Sequence, residues 1–164
     1  MRKVLTIAGK ELRSYFVSPM AYVVITFFLG VTSLLFAILM SQGRPEADMR
    51  DLFHTMAFLA LMMAPVITMG LLAQERNLGT IELLLTSPVR DVEVVAGKYL
   101  ASLAIFMAIL VLTLMYPIIM EKYGDLAWGQ VLVGYLGLFL CGLAFLAIGL
   151  FASSLTSNQI AAAI

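Results

Sequence analysis

A single histidine, His54, and a single cysteine, Cys141, bound the chemistry open to this chain. Hydrolytic zinc needs a ligand set such as His-Glu-x-x-His, which one histidine cannot supply. Aspartyl-type acid–base work needs two carboxylates in one site, and none of the ten acids falls within the long apolar runs. A nucleophilic Ser–His pair would need a serine facing His54 at the same depth, and the sequence places none there. Gly9-Lys10-Glu11 lacks the spaced first glycine and the Ser or Thr of a phosphate-cradling P-loop. Met49, Met56 and Met63 recur at a constant interval, as do Met62 and Met69. Thioethers can bind soft metals, but the same spacing is what any packed helix face shows, and methionine commonly fills gaps there. Cys141 reads as a small packing residue, and His54 as a polar residue where an apolar run meets water. The residues point to a protein that makes and breaks no bonds, with no cofactor or metal of its own.

The elements around these residues are set by composition. Of 164 residues, 62% are hydrophobic and only 12% charged, with mean hydropathy +1.02 and zero formal net charge. That balance lies far from soluble averages and offers no basic surface for nucleic acid. Charges are absent between Arg13 and Arg44, between Asp51 and Glu75, between Lys98 and Glu121, and after Asp125. A helix needs about 20 apolar residues to cross the hydrocarbon, so spans are expected near 20–40, 53–73, 99–120 and 130–152. Ser153-Ser154-Leu155-Thr156-Ser157-Asn158 is expected to break the last gap as a polar turn, and 160–164 to begin a fifth span. The fold class is therefore all-α: one polytopic bundle over 1–164, expected to be the N-terminal part of a longer domain. Lys and Arg placement favours a cytoplasmic N-terminus, with Arg2, Lys3, Lys10, Arg13, Arg76, Arg90 and Lys98 inside against Arg44, Arg50 and Lys122 outside. Pro65 and Pro117 should kink their spans. Tyr116, Tyr123 and Trp128 should form an outer aromatic belt, and Gly134, Gly137, Gly142 and Gly149 should allow close helix packing.

Two segments outside the spans carry patterns of their own. On a helical wheel, Val4, Leu5, Ile7, Ala8, Leu12, Tyr15 and Phe16 share one half of residues 1–17, and Arg2, Lys3, Lys10 and Arg13 the other; only Glu11 is misplaced. This is the pattern of an interfacial helix lying on the inner leaflet, ended by Ser18-Pro19. The segment 74–98 would face the cytoplasm. Gly79 can make a turn there, 80–86 reads as a short helix, and Ser87-Pro88 stops it and allows the next to start. That short helix carries Ile81, Leu83, Leu84 and Leu85, with Thr80, Glu82 and Thr86 as its few polar groups. An exposed apolar helix of this kind should dock into a groove on a partner, unless it folds back under its own spans.

The run Glu75-Arg76-x-x-Gly79-Thr80-Ile81-Glu82-x-Leu84-Leu85-Thr86-Ser87-Pro88-Val89 resembles the hallmark of the type-2 ATP-binding-cassette (ABC) exporter permeases. Gly97-Lys98-Tyr99-Leu100 is similar to that family's entry into its third span. Ala8-Gly9-Lys10-Glu11-Leu12-Arg13-Ser14-Tyr15-Phe16 and Ser18-Pro19 are similar to its start. Within the family, the gliding-motility-associated permease subunits look most similar. The resemblance implies six spans, a dimer of permeases and two copies of a cytoplasmic ATPase that binds ATP and Mg²⁺. It implies that 80–86 is a coupling helix seated in the ATPase, that Glu75 and Arg76 sit at the hinge before it, and that the N-terminal helix also touches the ATPase. The expected location is the inner membrane. A membrane scaffold or assembly protein would share the spans without the docked ATPase.

Overall fold

The computed structural model describes residues 2–17, 19–41, 49–77, 91–123 and 126–155. The described elements are all α-helices: α1 (Arg2–Val17), α2 (Pro19–Ser41), α3 (Met49–Asn77), α4 (Asp91–Thr113), α5 (Met115–Glu121) and α6 (Trp128–Leu155). Four stretches among them are long and apolar enough to cross a membrane: Ala21–Ser41, Met49–Thr68, Val92–Glu121 and Trp128–Leu155. The expected all-α polytopic bundle is the one found. The fifth span begun at 160–164 lies outside the described residues, as does the short helix at 80–86.

Local chemistry sets where the helices start and break. Pro19 opens α2, where its missing N–H is one of the donors left unbonded in any case. Asp51 stands in the first turn of α3, where the helix dipole favours an acid. The third span divides at Leu114, whose N–H bonds Val111 O at 3.2 Å in a tightened turn. Pro117 explains the break. It has no N–H to give the Thr113 carbonyl one turn earlier. The Tyr135 hydroxyl, from α6, donates to that carbonyl instead at 2.8 Å. Pro65, by contrast, lies inside α3 without interrupting it.

The longest contact in the bundle is between α3 and α6, which run parallel in matched register. A Cβ on Gly134 would strike the Phe53 ring and one on Gly149 would strike Thr68, and both pairs are separated by the same interval along their helices. A Cβ on Gly142 would likewise meet Phe106 of α4. The core between the spans is apolar, with Phe28, Leu52, Met56, Ile109 and Leu146 all enclosed. Outward faces are apolar too: Tyr22, Val23, Phe27 and Leu34 on α2, and Leu132, Leu136, Ile148 and Phe151 on α6. A helix apolar on every side is what a lipid solvent requires.

The structure corrects several expectations. α6 runs on through Ser153 and Ser154 to Leu155, so the polar turn does not begin at Ser153. Ser154 Oγ donates to Phe151 O at 2.6 Å, satisfying its hydroxyl without leaving the helix. Tyr116 belongs to no aromatic belt: it is buried against Phe36, with ring centroids 5.0 Å apart. Tyr123 and Trp128 are exposed, and Trp128 Nε1 donates to Glu121 Oε1 at 3.0 Å. Gly137 has open space around it, so it supports no close approach. Cys141 is exposed on α6 and packs no interior. His54 is exposed and Met56 enclosed, so neither the histidine nor the central methionine departs from its bland reading.

Candidate functional site

Charged and hydrogen-bonding groups gather where α1 packs along the beginning of α4 and meets α3 at Ile67. The half-buried stripe of α1 is Val4, Ile7, Ala8, Glu11, Leu12 and Tyr15, a run of helical neighbours. It packs on α4, where Gly97 lets Ile7 and the Val4 carbonyl come close enough to forbid a Cβ. The apolar half of α1 therefore faces protein more than lipid. Leu5 and Phe16, at its edge, stay 66% and 46% exposed beside the exposed Lys10 and Arg13. Arg2 and Lys3 occupy the first turn of the same helix.

Glu11 is the residue that spoiled the amphipathic pattern, and its placement has a cause. Its Oε1 lies 3.1 Å from Lys98 Nζ in an ion pair whose side chains are 17% and 2% exposed. Lys98 is thus no free cytoplasmic charge: it sits inside α4, one turn from Ser102, whose hydroxyl donates to the Lys98 carbonyl at 3.0 Å. A buried ammonium is tolerable only when a counter-charge answers it. Further along α1, the Tyr15 hydroxyl donates to the Ile67 carbonyl of α3 at 2.7 Å. Burial pushes the Tyr15 phenol well above its usual range; the nearby Glu11 charge adds to this, and a hydrogen bond with Ser102 opposes it. Glu11 and Tyr15 of one short helix thereby hold two spans.

A second polar cluster pins the other half of the bundle. The Tyr116 hydroxyl lies 2.9 Å from both Thr32 Oγ1 and Ser33 Oγ on α2. Thr32 also donates to Phe28 O at 2.8 Å. Tyr135 meets Phe53 edge-on at 5.3 Å while its hydroxyl serves Thr113. These groups bond one another and line no polar cavity. Between the spans lies a narrow cleft lined by Phe28, Met63, Phe106 and Phe145, almost wholly apolar. Among the described residues no three His, Cys, Asp or Glu stand close enough to hold a metal. The arrangement can position helices.

Of the residues expected to meet a partner, Glu75 and Arg76 lie in the last turn of α3, which continues as helix to Asn77. Gly79, Thr80, Ile81, Glu82, Leu84, Leu85, Thr86 and Pro88 lie outside the described residues. Sequence reasoning missed Tyr15, Lys98, Tyr116 and Tyr135 as organising residues. The one signal available was Glu11, an acid on an apolar face with no local partner.

A family model described as ABC-2 family transporter protein matches residues 5–164. No curated protein matches the chain, and no solved structure matches it.

Proposed function

The chain belongs to the ABC-2 family of transporter proteins, which makes it a membrane permease component, and from that premise we propose that it is the permease subunit of an ATP-driven exporter. ATP and Mg²⁺ are bound and hydrolysed by a separate cytoplasmic ABC ATPase, and two permease subunits form the membrane assembly. The protein sits in the inner membrane with its N-terminus in the cytoplasm. Residues 80–86 form the coupling helix that seats in the ATPase, with Glu75 and Arg76 leading into it. Within the family we place the chain nearest the gliding-motility-associated permeases, on its N-terminal run and its cytoplasmic motif.

The observation that carries this reading is the cytoplasmic motif in a matched family member, flanked by two helices that a third helix ties together. When two ATPase subunits close on ATP, the segment between α3 and α4 is displaced, and those helices pass the motion to the spans. Such a switch works by differential binding to two states of the whole assembly. The test is co-purification in mild detergent of the permease with the ATPase encoded beside it. Wild type should retain the ATPase, and Leu84→Asp, which puts a charge into an apolar docking face, should lose it. Glu82→Arg should weaken retention. An ATPase that never co-purifies, or that ignores both substitutions, would leave a membrane scaffold as the reading.

A further inference from the structure

Lys98 is the least expected residue in the bundle, an ammonium enclosed in a transmembrane-length helix. A counter-charge reaches it from α1, 87 residues earlier in the chain. The same helix that supplies Glu11 also reaches α3 through Tyr15 and Ile67 O, and closes on α4 at Gly97. α3 is the helix from which the chain enters residues 78–90, and α4 is the helix into which it returns. α1 is therefore tied to both helices that flank that segment, to α4 by an ion pair and to α3 by a hydrogen bond at Ile67.

We propose that α1 is a splint: Glu11, Lys98 and Tyr15 are positioning residues that make α1, α3 and the start of α4 move as one body. This rests on the coupling reading of residues 80–86 and assigns to that reading the part that keeps displacement from being lost as independent rocking of two helices. The physical case is directional. Apolar contacts such as Ile7 against Gly97 tolerate sliding, whereas a buried ion pair has one acceptable register. Slipping it separates a buried ammonium from the Glu11 carboxylate. Tyr15 adds a second point of attachment on a different helix, so the three elements cannot pivot about a single contact.

The experiment uses the permease–ATPase complex in lipid nanodiscs, in a Cys141→Ala background. Spin labels at Ser14 of α1 and Val92 of α4, both exposed, report the distance between the two helices, and ATP hydrolysis is measured on the same samples. Wild type should give one narrow distance, the same with and without trapped ATP. Lys98→Met should broaden it and lower hydrolysis by about fivefold with the ATPase still bound. Tyr15→Phe keeps the ring and loses only the donor, which makes it the gentler variant; it should reduce hydrolysis by about twofold to fivefold at unchanged melting temperature. A wild-type distance that is broad or that shifts with nucleotide overturns the splint, and so do both variants behaving as wild type. If no ATPase binds wild type, the docking reading fails, while the distance measurement on the permease alone still decides whether α1 is fixed to α4.

Discussion

A lysine whose side chain is 2% exposed depends on the group that answers its charge. Lys98→Met removes the ammonium that Glu11 pairs with, and Glu11→Gln removes the carboxylate from beside a buried ammonium. Each single substitution should cost about 3–5 kcal/mol of stability, the range found when one partner of a buried pair is removed. The double variant Glu11→Gln with Lys98→Met leaves no unanswered charge and should recover most of that loss. Unfolding titrations of the four proteins in detergent measure the coupling directly; additive losses would show that the pair does not act as a unit. The same residues mark the limit of sequence reading at this scale. Glu11 was visible as an anomaly because a helical wheel is local. Its explanation was not, because the partner is distant in the chain and had been counted among ordinary cytoplasmic cations. Tyr116 misled for a related reason: aromatic residues near a span end are equally suited to an interfacial belt or to a buried hydroxyl network, and only the positions of Thr32 and Ser33 decide between them.

At the scale of the element, the spans were legible and their interruptions only partly so. Gaps between charges located all four membrane-length helices, because a charge inside the hydrocarbon is costly enough to leave a record in composition. Pro117 was legible as a disturbance, yet the repair was not, since the hydroxyl that accepts the task lies on α6. That repair makes a prediction. Tyr135→Phe leaves the Thr113 carbonyl without its α6 donor and should cost about 1–3 kcal/mol. Pro117→Ala restores an N–H one turn away, so in that background the loss from Tyr135→Phe should shrink to well under half; an equal loss in both backgrounds would mean the tyrosine acts through packing alone. Helix contacts were less legible than helices. Glycine spacing along α6 suggested four points of close approach, but Gly137 faces open space while Gly142 faces the Phe106 ring. Gly142→Leu should therefore separate α6 from α4 and destabilise by about 1–3 kcal/mol, and Gly137→Leu should leave the melting temperature within error of wild type.

For the whole molecule, function depends on which end of the bundle faces the cytoplasm. A coupling segment that faced outward could meet no cytoplasmic ATPase, so the proposed mechanism stands or falls with orientation. The Lys and Arg bias that supports a cytoplasmic N-terminus loses Lys98 as an independent vote, because that charge is consumed by Glu11; Arg2, Lys3, Lys10, Arg13, Arg76 and Arg90 still exceed Arg44, Arg50 and Lys122. Two exposed positions at opposite ends of the same span decide the matter. Val92 lies in the first turn of α4 and Tyr123 just beyond α5. In a Cys141→Ala background, Tyr123→Cys should react with a membrane-impermeant maleimide on intact spheroplasts, and Val92→Cys only after permeabilisation. The reverse pattern would turn residues 78–90 away from the cytoplasm. The ATPase would then have no surface to grip, and α1 would splint a segment that transmits nothing. The expected pattern places α1, the last turn of α3, the first turns of α4 and the cytoplasmic motif on the side where ATP is hydrolysed. That is the geometry in which one short helix, held by a buried ion pair and a tyrosine, can join a soluble motor to the spans it moves.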